Sequence, residues 1–467
     1  MPDYRRRATR ESMTVRLDAN GMMADVIGAH GVSRAEIEAL VPRITQVTDG
    51  LRERRAAGEI AFYDLHSQGD VLDDIKSLAS ELRGEFDTLV VLGIGGSALG
   101  TKTLLAALPD ASRRVIVADN VDPSSFGRML DDLDLDKTVF NVISKSGSTA
   151  ETMAQFLVVR DMLLREFGAV DYVQHVVLTT DAEKGALRQI VHDEGFRSLV
   201  VPDRVGGRFS VLTAVGLLPA AFAGFRVDDL LAGAKWMDER CGVDDVWTNP
   251  AHLLGTLLYL ADTERRQNVV ALMPYSDRLV SLSAWFSQLW AESLGKKKIV
   301  DGAPQHVGQT PLVAVGATDQ HSLLQLFAEG PVDKVVIMAR VEDHGREIPI
   351  PSAYADLESL AYLGGAGLGE LLNLEQLATE VALGKGGRPV LTLQVPQVNA
   401  FTLGQLFLLF EAAVAFAGGL YGIDPFDQPG VEESKRLTYA QMGRAGYDDR
   451  RADVEAWVER KSAELIV

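Results

Sequence analysis

The chain contains one cysteine, Cys241, among 467 residues. That excludes an internal disulfide and fits a reducing compartment. Basic residues are in deficit: 46 Lys and Arg stand against 65 Asp and Glu, for a net charge of −19. A field of that sign argues against nucleic acid or an anionic membrane as a partner. It also repels small anions, so an anionic substrate needs a locally basic site. No HExxH, CxxC or carboxylate–histidine cluster is present, and no metal is expected. The basic start, Arg5, Arg6, Arg7 and Arg10, is followed by no apolar run, so a signal peptide is not expected. The most lipid-like window, Phe401 to Tyr421, carries Gln405, Glu411 and several glycines. It reads as a buried core helix rather than a membrane span. Low-complexity segments and residue-level repeats are lacking. The acidic cluster at 131–136 has no calcium-loop spacing and reads as a solvated loop. What remains is the expectation of a soluble, cytoplasmic protein with an ordinary globular composition, 47% apolar and 24% charged.

At this length two domains are expected. Residues 1–80 read as helices, with Ile37, Leu40, Val41 and Ile44 at helical spacing. From Leu89 the texture changes to short apolar, β-favouring runs: Leu89–Leu92, Val115–Ala118, Val139–Ile143, Val173–Thr179 and Ser198–Val201. Helical stretches separate them. Alternation of this kind predicts an α/β fold with a doubly wound parallel sheet. A buried helix is expected over Ala214–Ala223, and the turn-rich stretch from Asp238 to Pro250 is the best boundary. The second half repeats the texture at Val269–Met273, Leu312–Val315, Val335–Met338 and Val390–Val395. The expected units are 81–237 and 251–425, preceded by the helices of 1–80 and followed by a tail, 426–467, that opens on turn residues and becomes helical.

The third strand candidate runs without a spacer into Ser144-Lys145-Ser146-Gly147-Ser148-Thr149, and good helix formers follow. Strand, hydroxyl-rich turn and helix N-terminus make an anion site. The first helical N–H groups and the positive dipole end point into the turn. Four hydroxyls and an ammonium can close on a phosphate, and Gly147 lets the backbone curl. An SxS segment alone is equally a capped turn; the full set of six favours phosphate.

The first strand candidate ends in Gly93-Ile94-Gly95-Gly96-Ser97-Ala98, with Asp119 at the end of the next strand. This fits the dinucleotide fingerprint G-x-G-x-x-G/A with its ribose-binding acid, and a dehydrogenase is the rival reading. Ser97 adds a hydroxyl where a dinucleotide site uses bare backbone, and the 144–149 turn would have no task in such an enzyme. Taken together, both turns lie at carboxyl ends of strands and can face one small phosphorylated ligand.

Other segments carry candidate chemistry. In Val205-Gly206-Gly207-Arg208-Phe209-Ser210, two glycines bring backbone close to a ligand, and Arg208 is placed to stabilise an oxyanion. Leu279–Leu294 reads as an apolar helix capped at Gly295, with Trp285, Gln288, Leu289 and Glu292 on one face. A carboxylate there, near a helix C-terminus, should have a raised pKa, as a general base requires. The competing arrangement is a surface pair of Glu292 with Lys296. Thr318-Asp319-Gln320-His321 opens a helix after a strand, where the dipole favours neutral imidazole; His306 is the weaker histidine candidate. Lys435 lies one turn into the tail helix and taken alone is an ordinary helix-face charge.

In this order GIGGS, SKSGST, VGGRFS, ESLGK, GATDQHS and QPGVEESK, from residue 93 to residue 435, resemble the glucose-6-phosphate isomerase family. The resemblance covers most of the chain outside the N-terminal helices. It implies two sugar-isomerase (SIS) domains, no cofactor, and a homodimer whose active sites borrow the histidine from the other subunit. It further implies that Ser97, Ser144, Ser146 and Thr149 hold a sugar phosphate, with Lys145 and the Gly95 turn beside it. Glu292 would move a proton between carbons 2 and 1 through a cis-enediol, and Arg208 would stabilise the negative oxygen. His321 and Lys435 would open and close the ring, while Gln288 and Gln428 position hydroxyls. Ser148 and Leu294 depart from the usual residues, Thr and a polar side chain. A non-catalytic sugar-phosphate sensor is the alternative from another class, and the full catalytic set speaks against it.

Overall fold

The computed structural model describes residues 2–467. A short strand, β1 (Arg16–Asp18), precedes the first sheet in the chain. That sheet contains β2 (Thr88–Leu92), β3 (Arg114–Ala118), β4 (Thr138–Ile143), β5 (Val176–Thr180) and β6 (Arg197–Val200), in the order β3-β2-β4-β5-β6 and all parallel. The second sheet draws on β7 (Val269–Pro274), β10 (Thr310–Val313), β11 (Lys334–Asp343) and β12 (Val390–Gln397). Between β7 and β10 lies a hairpin of β8 (Lys296–Val300) and β9 (Ala303–Val307). The order is β1-β12-β11-β7-β10, parallel except for β1, which runs antiparallel to β12. The expected α/β architecture is therefore present, with every anticipated strand within a few residues of its place.

The strands are apolar on both faces because both faces are covered. In β2 and β4, Leu89, Val91 and Val139 point into a core that also takes Val270, Ile337 and Leu391 from the second sheet. Their neighbours Val90, Leu92, Phe140 and Val142 face a separate outer cluster. Ala271, Met273, Val336 and Met338 do the same on the far side of the second sheet. Helices thus fill the space between the sheets and coat both outer faces.

Six helices matter below: α1 (Leu99–Ala107), α2 (Ala150–Asp171), α3 (Ala186–Glu194), α4 (Val280–Leu294), α5 (Ala400–Tyr421) and α6 (Glu432–Gln441). Helices α1 and α4 follow β2 and β7 and touch in the middle layer, where the Thr103 hydroxyl donates to the Ser281 carbonyl at 3.0 Å. Helix α5 is long and apolar enough to cross a membrane, but 94% of its apolar window is buried inside this fold, as the polar residues within it foretold. The 131–136 cluster is largely exposed. Nothing in the periodicity marks Arg16–Asp18 as a strand; only pairing with β12 makes it one.

Candidate active site

In the first sheet the chain moves from β2 to β3 on one side, then to β4 on the other. A crevice opens at such a switch point, at the carboxyl ends of β2 and β4. Both Gly/Ser-rich turns lie there. After β2, Gly95–Ser97 forms a single 3-10 turn before α1. A Cβ on Gly96 would stand 2.1 Å from the carbonyl carbon of Gly207, so a glycine is required where the 93–98 and 205–210 turns touch. After β4, Gly147 takes φ +62°, and a Cβ on it would lie 2.6 Å from the Leu187 nitrogen. The left-handed turn brings Ser144, Ser146 and Thr149 to one cavity, while Ser148 is exposed and does not line it. Ser144 Oγ stands 2.9 Å from Thr149 Oγ1 and accepts from the Gly147 N–H at 3.1 Å. Ser146 Oγ accepts from the N–H of Ser148 at 3.3 Å and from its hydroxyl at 3.2 Å. Thr149 is the N-cap of α2 and its side chain makes no capping bond, which leaves first-turn N–H groups open toward the crevice.

Ser97, Ser144, Lys145, Ser146 and Thr149 line one cavity of about 700 Å³, together with Gln428 and Lys435. Lys145 is not free within it. Its ammonium donates to the carbonyls of Asp203 and of Val205, the latter at 3.2 Å. Burial lowers its pKa, against the opposing pull of Asp203 and Asp181. Lys435 is exposed and pairs with Glu432 at 2.9 Å.

A second cavity, about 880 Å³, adjoins at Gln428 and is lined by Gln288 and Glu292 of α4. Arg208, with only 2% of its side chain exposed, lines neither cavity but bonds to Gln428, which lines both. Its guanidinium bonds to four residues on two segments, the end of α4 and the 425–428 stretch. Nε donates to Ser293 Oγ at 2.7 Å, Nη1 to Gln428 Oε1 at 3.0 Å, and Nη2 to the carbonyls of Pro425 at 2.5 Å and Asp427 at 3.0 Å. Nη1 also stands 3.6 Å from Glu292 Oε2. The Glu292 carboxylate accepts from Gln288 Nε2 at 3.2 Å, and the Gly95 backbone lies against that same amide. Burial pulls the Arg208 pKa down, while Glu292 leads the charges opposing it; the cation stays charged at any ordinary pH. Lys296 does not pair with the Glu292 carboxylate. It donates to the Glu292 backbone carbonyl at 3.0 Å and forms an ion pair with Asp427 at 3.0 Å.

The histidines stand apart. Thr318–His321 is a 3-10 turn rather than the first turn of an α-helix, because the Asp319 carboxylate bonds back to the Val315 N–H at 2.7 Å. His321 is exposed and lines neither cavity. Gln320 fixes the turn, donating to Tyr275 Oη at 2.7 Å and Thr379 Oγ1 at 2.9 Å. His306 lies exposed on β9. Asp119, the would-be ribose acid, pairs with Lys102 at 2.8 Å. Leu294 is fully buried in the main core. Sequence reasoning missed Ser293, the hydroxyl under Arg208; it is adjacent to Glu292, so helical periodicity assigned it to another face.

Two largely parallel sheets with a hydroxyl-lined crevice at one switch point define the class, an α/β protein that holds a small ligand at strand-to-helix turns. A family model described as phosphoglucose isomerase matches residues 70–455. The chain is 40% identical over 454 residues to a glucose-6-phosphate isomerase of Carboxydothermus hydrogenoformans, covering 95% of this chain and 97% of that one. It is 45% identical over 427 residues to that of Rubrobacter xylanophilus, covering 89% and 96%. Among solved structures, a hypothetical protein from Thermus thermophilus superposes with TM-score 0.83 at 36% identity, over 92% of this chain and all of that one. A glucose-6-phosphate isomerase from Chlamydia trachomatis shares the fold, with TM-score 0.74 at 23% identity over 85% and 77%. The chain belongs to the phosphoglucose isomerase family.

Proposed function

We propose that this chain interconverts D-glucose 6-phosphate and D-fructose 6-phosphate, the step that links the two sugars in glycolysis and gluconeogenesis. The hydroxyls of Ser97, Ser144, Ser146 and Thr149 hold the phosphate, with Lys145 and the Gly95 turn alongside. His321 and Lys435 transfer the protons that open the ring. Glu292 then removes the proton from carbon 2, and the electron pair moves through the carbon 1–carbon 2 bond onto the carbonyl oxygen to give a cis-enediol. Arg208 stabilises the charge on that oxygen. Transfer of the carbon 2 hydroxyl proton to oxygen 1, with return of the abstracted proton to carbon 1, leaves the ketone at carbon 2. Gln288 and Gln428 orient hydroxyls. The chemistry asks for one base, one cation and a ring-opening pair, and for neither metal nor redox group.

The observation that carries the reading is the convergence on Arg208: Glu292 at 3.6 Å and Gln428 at 3.0 Å, where the two cavities adjoin. The exposed position of His321 supports a homodimer in which a second copy supplies that residue. On the same reading the chain divides into SIS units at 81–237 and 251–425, with leading helices at 1–80 and a tail, 426–467, that brings Lys435 to the site; the enzyme is cytoplasmic. A coupled assay that oxidises glucose 6-phosphate as it forms from fructose 6-phosphate tests the activity. Steady turnover supports the proposal, and none above the blank overturns it.

A further inference from the structure

Strand β5 lies beside β4, and it too ends in a turn that leads into a helix. Its residues Asp181-Ala182-Glu183-Lys184-Gly185 connect it to α3. The turn is fastened to the Ser144–Thr149 cradle at two points. Thr180 Oγ1 donates to the Ser144 carbonyl at 2.7 Å. Gly185 packs so closely that a Cβ on it would lie 2.5 Å from the Ser146 carbonyl oxygen. The turn is also internally set, because Asp181 Oδ1 accepts from the N–H groups of Glu183 and Lys184, each at 2.9 Å. Those two bonds hold the Asp181 carboxyl below its ordinary range. Lys184 therefore stands one residue before the closest approach to the cradle, on a turn held by those two bonds.

The cations along this cavity differ in what they already hold. Lys145 is bound to the 203–205 carbonyls, Lys435 to Glu432, and Arg204 to the Ala57 carbonyl at 3.2 Å. Lys184 lines the cavity; its ammonium makes no hydrogen bond or ion pair among the described residues, and the one carboxylate its charge acts on, Asp181, is already held by two backbone N–H groups. In a chain of net charge −19, a dianionic ligand needs such an unengaged cation.

Resting on the proposed function, we infer that Lys184 supplies the ammonium that neutralises the substrate phosphate, and that Lys145 is a positioning residue tethering the turn that carries Arg208. The seat of charge in the anion site then lies one strand beyond the serine-rich motif, on the β5–α3 turn. A phosphorylated sugar is preferred over its unphosphorylated form through a side chain from outside the six motifs.

The test is Lys184→Gln, with Lys184→Arg and the distant exposed Lys137→Gln beside it, in isomerase kinetics at several ionic strengths and in calorimetric titration with inorganic phosphate. Lys184→Gln should raise KM about tenfold, weaken phosphate binding by about the same factor and leave kcat within about twofold. The fall of kcat/KM with salt should flatten. Lys184→Arg should restore most of the loss, and Lys137→Gln should behave as wild type. Unchanged KM, phosphate affinity and salt dependence in Lys184→Gln would overturn the inference. Absence of turnover in the wild type would instead count against the isomerase reading, and the phosphate titration would still report on Lys184.

Discussion

The two sheets have nearly the same plan, yet they serve the site in different ways. In each, one strand is flanked by the next on one side and by a later one on the other: β3-β2-β4-β5 in the first, β10-β7-β11-β12 in the second. The first sheet's switch point carries glycines and hydroxyls, and a cavity opens there. At the corresponding place in the second, β7 runs into Tyr275, which is fully buried. Arg278 follows, bonded to the carbonyls of Ala107 and Val398. That end is closed by structure. The second sheet contributes through the helix leaving it, since α4 carries Gln288 and Glu292 on its last turns, next to Arg208. Topology offers a crevice; turn chemistry decides whether it binds anything.

On this view the cradle of the first sheet anchors, while Glu292 from the second, with Arg208 from the turn after β6, reacts, and variants should separate the two. The largest effect is expected for Glu292→Gln, which removes the base while keeping its shape. Its kcat should drop about a thousandfold or more, read in the coupled assay, and near-normal turnover would remove Glu292 from the mechanism. Arg208→Lys comes next. A lysine cannot span Ser293, Gln428 and the 425–427 carbonyls at once, so kcat should fall about a hundredfold. Unfolding in denaturant should also show a loss of about 3 kcal/mol, because buried partners are left unsatisfied.

Ser144→Ala, in the anchor, should raise KM about tenfold and spare kcat. A loss confined to kcat would show that the cradle does more than hold. The smallest effect on the site, though not on the scaffold, concerns His252. It is buried on the helix Pro250–Arg265, stacked on Phe416 of α5 with ring centroids 4.3 Å apart, and its Nδ1 has no partner. Burial first, then Arg52, depresses its pKa from 6.5 to about 4. Between those values the unfolded chain binds the proton and the folded chain does not. Stability is therefore intact above pH 6.5 and falls by up to about 3 kcal/mol as pH drops toward the folded value. The thermal midpoint of His252→Phe should be flatter over this window than that of the wild type.

The anchor was legible because it is local. A strand buried on both faces is a contiguous apolar run, and the turn after it announces itself in serines and glycine. The reacting end is built over distance: Arg208 meets residues 293, 425, 427 and 428, and spacing alone could not bring these together. The order of six motifs could, because a family resemblance carries tertiary information that periodicity lacks. Where local pattern held no sign, tertiary pairing was decisive. Arg16–Asp18 is a strand only because β12 has a free edge, and Lys296–Val300 is one because it folds back on 303–307. The 318–321 turn is 3-10 because Asp319 bonds backward instead of capping forward. The carboxylate of Asp181 and the ammonium of Lys184 went unremarked, although the β5–α3 turn repeats the strand-to-helix plan of the cradle beside it.

The separation of anchor from chemistry is tested most directly by titrating inorganic phosphate into Glu292→Gln and Ser144→Ala by calorimetry, next to the wild type. Glu292→Gln should bind phosphate as the wild type does, and Ser144→Ala should bind it about tenfold more weakly. Equal loss in both variants, or undiminished binding by Ser144→Ala, would contradict that separation.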